Sequence, residues 1–299
     1  MSGFGSNPRL VAALIALWLV WGSTYLAIAI AVETLPPFLM AGVRFLTAGA
    51  ILVLVALVQG VPLPTRTQWR SALLVGALLL LLGNGLVCWA ARWVPSGTTS
   101  LIISSTPLWM TLFLWLIGGP RPKGHVLLGL ALGLVGVLVL VSSHTMDRNA
   151  EHHWLASGAV LAACFAWASG SLWSRRLPQS TSLVMAAGAQ MLAGGALLLV
   201  VGLALRERVA WDAVRPASLA AVAYLVFVGS IVGYGCYVYL LRVATPALAT
   251  TYAFVNPLVA VSLGALVRGE ALTLRLLVGA SLVVPAVVLI VFASRPKPA

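Results

Sequence analysis

Stretches such as LLVGALLLLLG (73–83) carry no charge and no break, and runs of this kind recur down the chain with only short polar joints between them. A helix that crosses a hydrocarbon core of about 30 Å needs roughly 20 such residues, because lipid leaves every backbone polar group to be bonded within the protein. Ten candidate spans follow, near 9–31, 37–59, 69–93, 96–117, 124–143, 154–175, 182–205, 216–241, 244–267 and 271–293. Almost no chain remains for a soluble domain. The strands of a closed barrel would alternate inward and outward over about 10 residues, and these runs do not alternate. The expected fold is therefore all-α and integral to the membrane. A chain of 299 residues that is 61% hydrophobic and 8% charged lies far from soluble usage. The first span is too long for a signal-peptide core and has no convincing cleavage site, so it is read as retained.

A net charge of +12 would point to nucleic acid in a soluble chain, but here the charges mark the joints between spans, and no nucleic-acid partner is expected. The eighteen Lys and Arg divide into ten on the side of the N-terminus, seven on the opposite side and Arg44 within a span. That mild bias favours both termini in the cytoplasm of a multi-pass protein of the inner (plasma) membrane. Glu33, Asp147, Glu151, Glu207, Asp212 and Glu270 all fall on the opposite side. Cys88, Cys164 and Cys236 sit within spans, where a thiol behaves as a small hydrophobe, and imply no disulfide framework.

The chain repeats itself. A shift of 150 residues lays ARWVPSGTTSLIISSTPLWM (91–110) on LRVATPALATTYAFVNPLVA (241–260), pairing Arg92 with Arg242, Thr106 with Asn256 and Pro107 with Pro257. A shift of 146 pairs WGSTYL (21–26) with WASGSL (167–172), so Trp21 meets Trp167, and Gly49 meets Gly195. Two five-helix copies, 1–150 and 151–299, joined near SSHTMDRNAEHH (142–153), are thus expected. Because five crossings are odd, the second copy would enter from the opposite side, giving inverted repeats around a central cavity, a construction that secondary transporters use for alternating access.

The residues that carry this pattern resemble a known family. LWLVWGSTYLAI (17–28), RFLTAG (44–49), STPLW (105–109) and FVNPL (254–258), in order and in both repeats, resemble the drug/metabolite transporter superfamily, EamA branch, most closely the aromatic amino acid exporters of the YddG type. The resemblance spans essentially the whole chain and implies a ten-helix inner-membrane carrier with a central cavity. The family often has a Gly-Glu pair after the fourth and ninth helices. The second copy keeps Gly269-Glu270, whereas the first has Gly119-Pro120, so no role of that carboxylate can be duplicated.

Substrate contacts are expected near the midplane, on helices of both copies. Trp21 and Trp167 lie near span centres, away from the interfacial belts where tryptophan gathers, and serve either as core packing or as aromatic walls for a flat apolar cargo. Asn84, in GNG, is paired by the repeat with Tyr234, in GYG. A buried carboxamide needs a partner, which a neighbouring helix, water or substrate can supply. Cys88 and Tyr237 follow them by about one turn on the same faces. Thr99, Thr106, Tyr252 and Asn256 come from the fourth and ninth spans. Pro107 and Pro257 each free a carbonyl one turn earlier, giving either a locally mended kink or a gating hinge. For Arg44, snorkelling of the long stem to the outer face is the favoured reading and contact with a substrate carboxylate the lesser one.

No Asp or Glu lies at mid-span, and His125, His144, His152 and His153 fall at span ends or joints. A proton-coupled carrier commonly needs such a group, so a facilitator or exchanger is expected, with no cofactor. No paired aspartates, metal cluster or activated nucleophile within the spans suggests an enzyme. A metal site from His144, Asp147, Glu151, His152 and His153 remains a minor reading, and a scaffold or receptor would need no inverted repeat. The expected partners are the lipid bilayer and a small-molecule substrate, an aromatic or neutral amino acid, handled by a monomer. Multidrug or nucleotide-sugar transport on the same fold stays as the alternative.

Overall fold

The computed structural model describes residues 8–119, 121, 124–141, 150–244, 249 and 252–293. Every regular element among them is helical. Helix α1 is Pro8–Ala31 and α2 is Pro37–Val58; α3 (Arg66–Gly76) passes through a π-helical stretch, Ala77–Gly85, into α4 (Leu86–Ala90). Then come α5 (Ser96–Ile103), α6 (Thr106–Leu116), α7 (Gly124–Val141), α8 (Ala150–Ser174) and α9 (Leu183–Ala204). Helix α10 (Pro216–Tyr224) runs through a second π-helical stretch, Leu225–Tyr234, into α11 (Gly235–Val243), and α12 (Tyr252–Arg268) and α13 (Leu274–Ala293) complete the chain.

Seven helices among the described residues are long and apolar enough to cross a membrane, and they fall on the first four, sixth, seventh and eighth predicted spans. Shorter apolar stretches, Val126–Gly136, Val255–Arg268 and Leu276–Ala286, fall on the fifth, ninth and tenth. Large apolar side chains such as Ile15, Leu54, Leu138, Val200 and Leu266 stand exposed on the outer surface. A soluble protein would hide them; in lipid they need no cover.

Local chemistry sets the helix ends. Pro37 and Pro216 open α2 and α10 at first-turn positions where the missing N–H has no intrahelical partner anyway. Thr65 and Gln68 form a reciprocal capping box at α3, and Ser182 accepts from the Met185 N–H at α9. Gly60, Gly118 and Gly269 take positive φ, 77°, 86° and 65°, just past α2, α6 and α12, where a left-handed residue closes a helix without steric cost. At the end of α9 the same turn is made by Arg206, φ 57°, a costlier choice.

Close packing follows the small residues. An added Cβ on Gly49 would meet the Leu192 nitrogen at 2.8 Å, on Gly188 the Val53 nitrogen at 3.0 Å, and on Gly195 the Leu46 nitrogen at 2.8 Å. Residue numbers rise in α2 as they fall in α9, so the two helices run antiparallel with their backbones touching along a glycine seam. Helix α7 packs on α13 in similar fashion, with the place of a Gly136 Cβ lying 3.0 Å from the Val283 nitrogen.

The fourth predicted span is broken at Ser104–Ser105, with Pro107 in the first turn of α6. Ser104, Ser105 and Thr106 donate their hydroxyls to the carbonyls of Leu101, Ile102 and Ile103, each at 2.6 Å. The kink is thus mended from within, as a lipid-embedded break must be.

Candidate functional site

At the middle of the bundle four aromatic rings from four helices meet. Trp21 (α1) lies 5.3 Å from Trp167 (α8), edge to face, 4.9 Å from Tyr237 (α11) and 5.2 Å from Tyr252 (α12). Such contacts favour edge-on arrangements because the ring edge is positive and the face negative. Two glycines let the tryptophans in. A Cβ on Gly83 would stand 2.8 Å from Trp167 Cε3, and a Cβ on Gly233 would stand 2.6 Å from Trp21 Nε1. Gly83 and Gly233 are 150 residues apart and each lies in a π-helical stretch, while Trp21 and Trp167 are 146 apart. Single π-helical turns gather at functional sites. These two flank one cavity.

Hydrogen bonds hold the cluster. Trp167 Nε1 donates to Tyr237 Oη at 3.0 Å, the Tyr237 hydroxyl lies 2.6 Å from Ser171 Oγ, and Ser171 donates to the Trp167 carbonyl at 2.6 Å. With the serine proton so committed, the tyrosine hydroxyl donates to Ser171. Tyr234 donates to Gln190 Oε1 at 2.6 Å, and Gln190 Nε2 donates to Gln179 Oε1 at 2.6 Å, a polar line from the cavity toward one end of the bundle.

The cavity is lined by Trp21, Thr24, Tyr25, Arg44, Asn84, Thr106, Trp167, Tyr234 and Tyr252 among others, and the space open to the centre of a water-sized sphere is about 60 Å³. Wider hollows lie at the two ends: about 400 Å³ beside Arg175, Gln179 and Arg242, and about 710 Å³ beside Glu33, Arg92, Glu207 and Arg268.

The expected snorkelling of Arg44 is overturned. Its side chain stays at cavity depth, 3% exposed, donating from Nε to Ser230 Oγ at 2.8 Å and from Nη1 to Asn84 Oδ1 at 3.4 Å, with its carbon 4.5 Å from the Phe45 ring centre. Ser230 supplies the polar partner that makes the outward excursion unnecessary. Asn84 also accepts from Cys88 Sγ at 3.4 Å, which places the fully buried Cys88 behind it and outside the lining.

Other predicted contacts also stand back from the cavity. Thr99 is buried and its hydroxyl turns to the Val94 carbonyl at 3.5 Å. Tyr237 is sealed beneath the aromatic cluster. The Asn256 amide, with its nitrogen toward carbonyls, donates to Trp18 O in α1 at 3.0 Å and to Tyr252 O at 3.2 Å. It joins two helices next to Pro257, which lies inside α12. His144 and Asp147 lie outside the described residues. His152 stacks on Trp93 with ring centres 5.7 Å apart, and His153 Nδ1 is 3.5 Å from the Trp93 carbonyl. Ser171, Gln190 and Ser230 were missed as partners, although a polar residue at mid-span was the available signal.

Two carboxylates cap helices far away in sequence. Glu207 accepts from the Phe38 and Leu39 N–H groups at the start of α2, at 3.4 and 2.9 Å, with Arg92 Nη2 at 3.8 Å. Glu270 accepts from the Ser96 N–H, the Ser96 hydroxyl and the Gly97 N–H at the start of α5, at 3.1, 2.7 and 3.1 Å. A carboxylate at a helix N-terminus meets both unbonded donors and the positive end of the dipole. At the same end Glu33 pairs with Arg268 at 3.0 Å and with Arg215 at 3.3 Å.

Comparison with known proteins places this geometry. The EamA-like transporter family matches residues 9–142 and again 154–292, on either side of the joint near 150. A relative described as an uncharacterized inner membrane transporter, YedA of Escherichia coli (strain K12), is 39% identical over 292 residues, covering 97% of this chain and 93% of its own. Probable amino-acid metabolite efflux pumps of Salmonella typhimurium and Escherichia coli (strain K12) are 26% and 27% identical, with 93% and 92% of this chain and the same shares of theirs covered. A protein of known crystal structure, 21% identical, superposes with a TM-score of 0.67 over 95% of this chain and 96% of its own, and so shares the fold.

Proposed function

The chain belongs to the EamA-like transporter family, and from that premise we propose that it is a secondary carrier that exports aromatic or other neutral amino acids by alternating access. It is a membrane transporter; the cargo and the cycle are our reading. The observation that carries it is the aromatic wall of the central cavity, to which the two halves contribute in matched fashion. Trp21 of the first half packs at Gly233 of the second, and Trp167 of the second packs at Gly83 of the first. Halves that interlock in this way can exchange conformations while keeping one site between them.

We read the helices as ten crossings in two inverted five-helix units, 1–150 and 151–299, with both termini cytoplasmic. The twofold match of the family and the aligned π-helical stretches support the halves, and the Lys/Arg bias supports the orientation. The efflux relatives and the aromatic lining support amino acid cargo over nucleotide sugars, which would call for more than one deep cation. No Asp, Glu or His lines the cavity among the described residues, which favours a facilitator or exchanger.

Counterflow in proteoliposomes with labelled phenylalanine, tryptophan and a cationic dye tests the cargo. Exchange of the amino acids is expected, and a failure of all three removes the assignment. Under an imposed pH gradient no uphill accumulation should appear, and accumulation would replace the facilitator with a proton-coupled carrier. Pro257→Ala should leave insertion intact and change the exchange rate, whereas unchanged kinetics would reduce that proline from hinge to packing.

A further inference from the structure

A guanidinium has five N–H donors and cannot shed its charge inside a protein. Arg44 commits one donor to Ser230 and one to Asn84. Its Nη2 has no hydrogen-bond partner among the described residues, yet no buried side-chain nitrogen or oxygen there lacks one, so Nη2 is open to the cavity that Arg44 lines. Gly229 keeps the approach clear, since a Cβ at that position would stand 3.2 Å from Nη2. Among the described residues the charge also has no counter-ion: Glu33, Glu207 and Glu270 are engaged at one end of the bundle, and no carboxylate lines the cavity. An unpaired cation at such depth is unfavourable unless an anion joins it.

We propose that Arg44 is the anchor for a carboxylate on the cargo. Nη2 and the remaining Nη1 donor form the two-pronged bond that suits a carboxylate, Ser230 and Asn84 fix the plane of the guanidinium, and Trp21, Trp167 and Tyr252 receive an apolar side chain. The transported class is then aromatic compounds with one carboxylate, and amines lacking it are rejected. With no acid lining the cavity, the α-amino group contributes little, and the deaminated acid binds as well as the amino acid.

The assignment rests on the transport reading, so binding and transport are measured separately. Isothermal titration of the full chain in lipid nanodiscs uses 3-phenylpropionate, phenylalanine and phenethylamine, and counterflow uses the same three. Both carboxylates should bind, with phenethylamine at least about tenfold weaker, a gap of roughly 1.4 kcal/mol. Arg44→Gln should erase that preference and Arg44→Lys keep part of it. Should Arg44→Gln fail to fold, Gly229→Ala, whose Cβ would stand 3.2 Å from Nη2 and 3.0 Å from Thr24 Cγ2, should weaken both carboxylates more than phenethylamine. Equal binding of phenethylamine, a preference undiminished in Arg44→Gln or Gly229→Ala, or no binding of any of the three would each overturn the anchor. Carboxylate-selective binding without counterflow would remove the transport reading and keep the anchor, whereas counterflow without selectivity would do the reverse.

Discussion

The two ends of the bundle are fastened by different chemistry. At one end Glu207 and Glu270 each bridge from a helix of the second half to the N-terminus of a helix of the first, and Glu33 gathers Arg215 and Arg268. At the other end no carboxylate is found among the described residues. There Arg242 donates to the carbonyls of Thr181 and Ser180 at 2.8 and 2.7 Å, and Gln68 donates to the Gln179 carbonyl at 3.2 Å. The first end is closed by charge meeting helix dipoles and cations, the second by cation and amide meeting neutral carbonyls. In the inverted repeat we propose, the two ends are topologically equivalent, and this difference then belongs to the side chains.

The largest effect should come from the acidic end. Hydrogen bonds to a charged group contribute about 1.5–3 kcal/mol each, and the double variant Glu207→Gln, Glu270→Gln should raise hydrogen exchange at Phe38, Leu39, Ser96 and Gly97 by roughly 10- to 100-fold. Amides near Ser180 should stay unchanged; equal loosening of both ends would erase the contrast. Arg242→Gln is the reciprocal change. It should speed exchange in the 177–183 segment by about tenfold, in line with the loss of one or two charge-assisted bonds, and leave Phe38 and Leu39 protected. Arg206→Gly relieves a left-handed arginine at the acidic end, where the equivalent turn at the other end already has Gly60, and should stabilise the protein by about 1 kcal/mol in denaturation. Smallest of all, Glu33→Gln removes two partly exposed ion pairs. A change of at most about 1 kcal/mol is expected, shrinking further at high salt.

Much of this was legible in the sequence, and the part that was not has a common cause. Apolar runs fixed the helices because lipid imposes one solution on the backbone, and the 146-residue shift singled out Trp21 and Trp167 as a pair before any contact was known. The Thr106 hydroxyl reaches the Ile103 carbonyl, the one that Pro107 leaves without an N–H partner. What stayed hidden were partners across long separations. Ser230 lies 186 residues from Arg44, and without it the cost of a buried guanidinium argued for escape to the surface. Asn256, placed by its spacing on one face with Tyr252, spends its amide on a Trp18 carbonyl that only tertiary packing brings near. The π-helical stretches left no periodic mark that distinguishes them from ordinary helix, and only the paired glycines hinted at them. Glu270 was noticed for lacking a twin, whereas its bonds to Ser96 and Gly97 required the fold.

The tryptophan contact at the centre also makes the protein its own optical reporter. Two indoles 5.3 Å apart couple their excited states, and the resulting near-ultraviolet circular dichroism depends steeply on their separation and mutual angle. Trp21 and Trp167 sit on α1 and α8, so any rocking of one helix against the other changes the signal. Trp89 and Trp93, 4.7 Å apart within a single short stretch of chain, give a second couplet that such rocking leaves in place. Subtracting the spectrum of a Trp167→Phe variant isolates the couplings of Trp167 to Trp21 and Tyr237, and their amplitude reports any change in those separations without an attached dye.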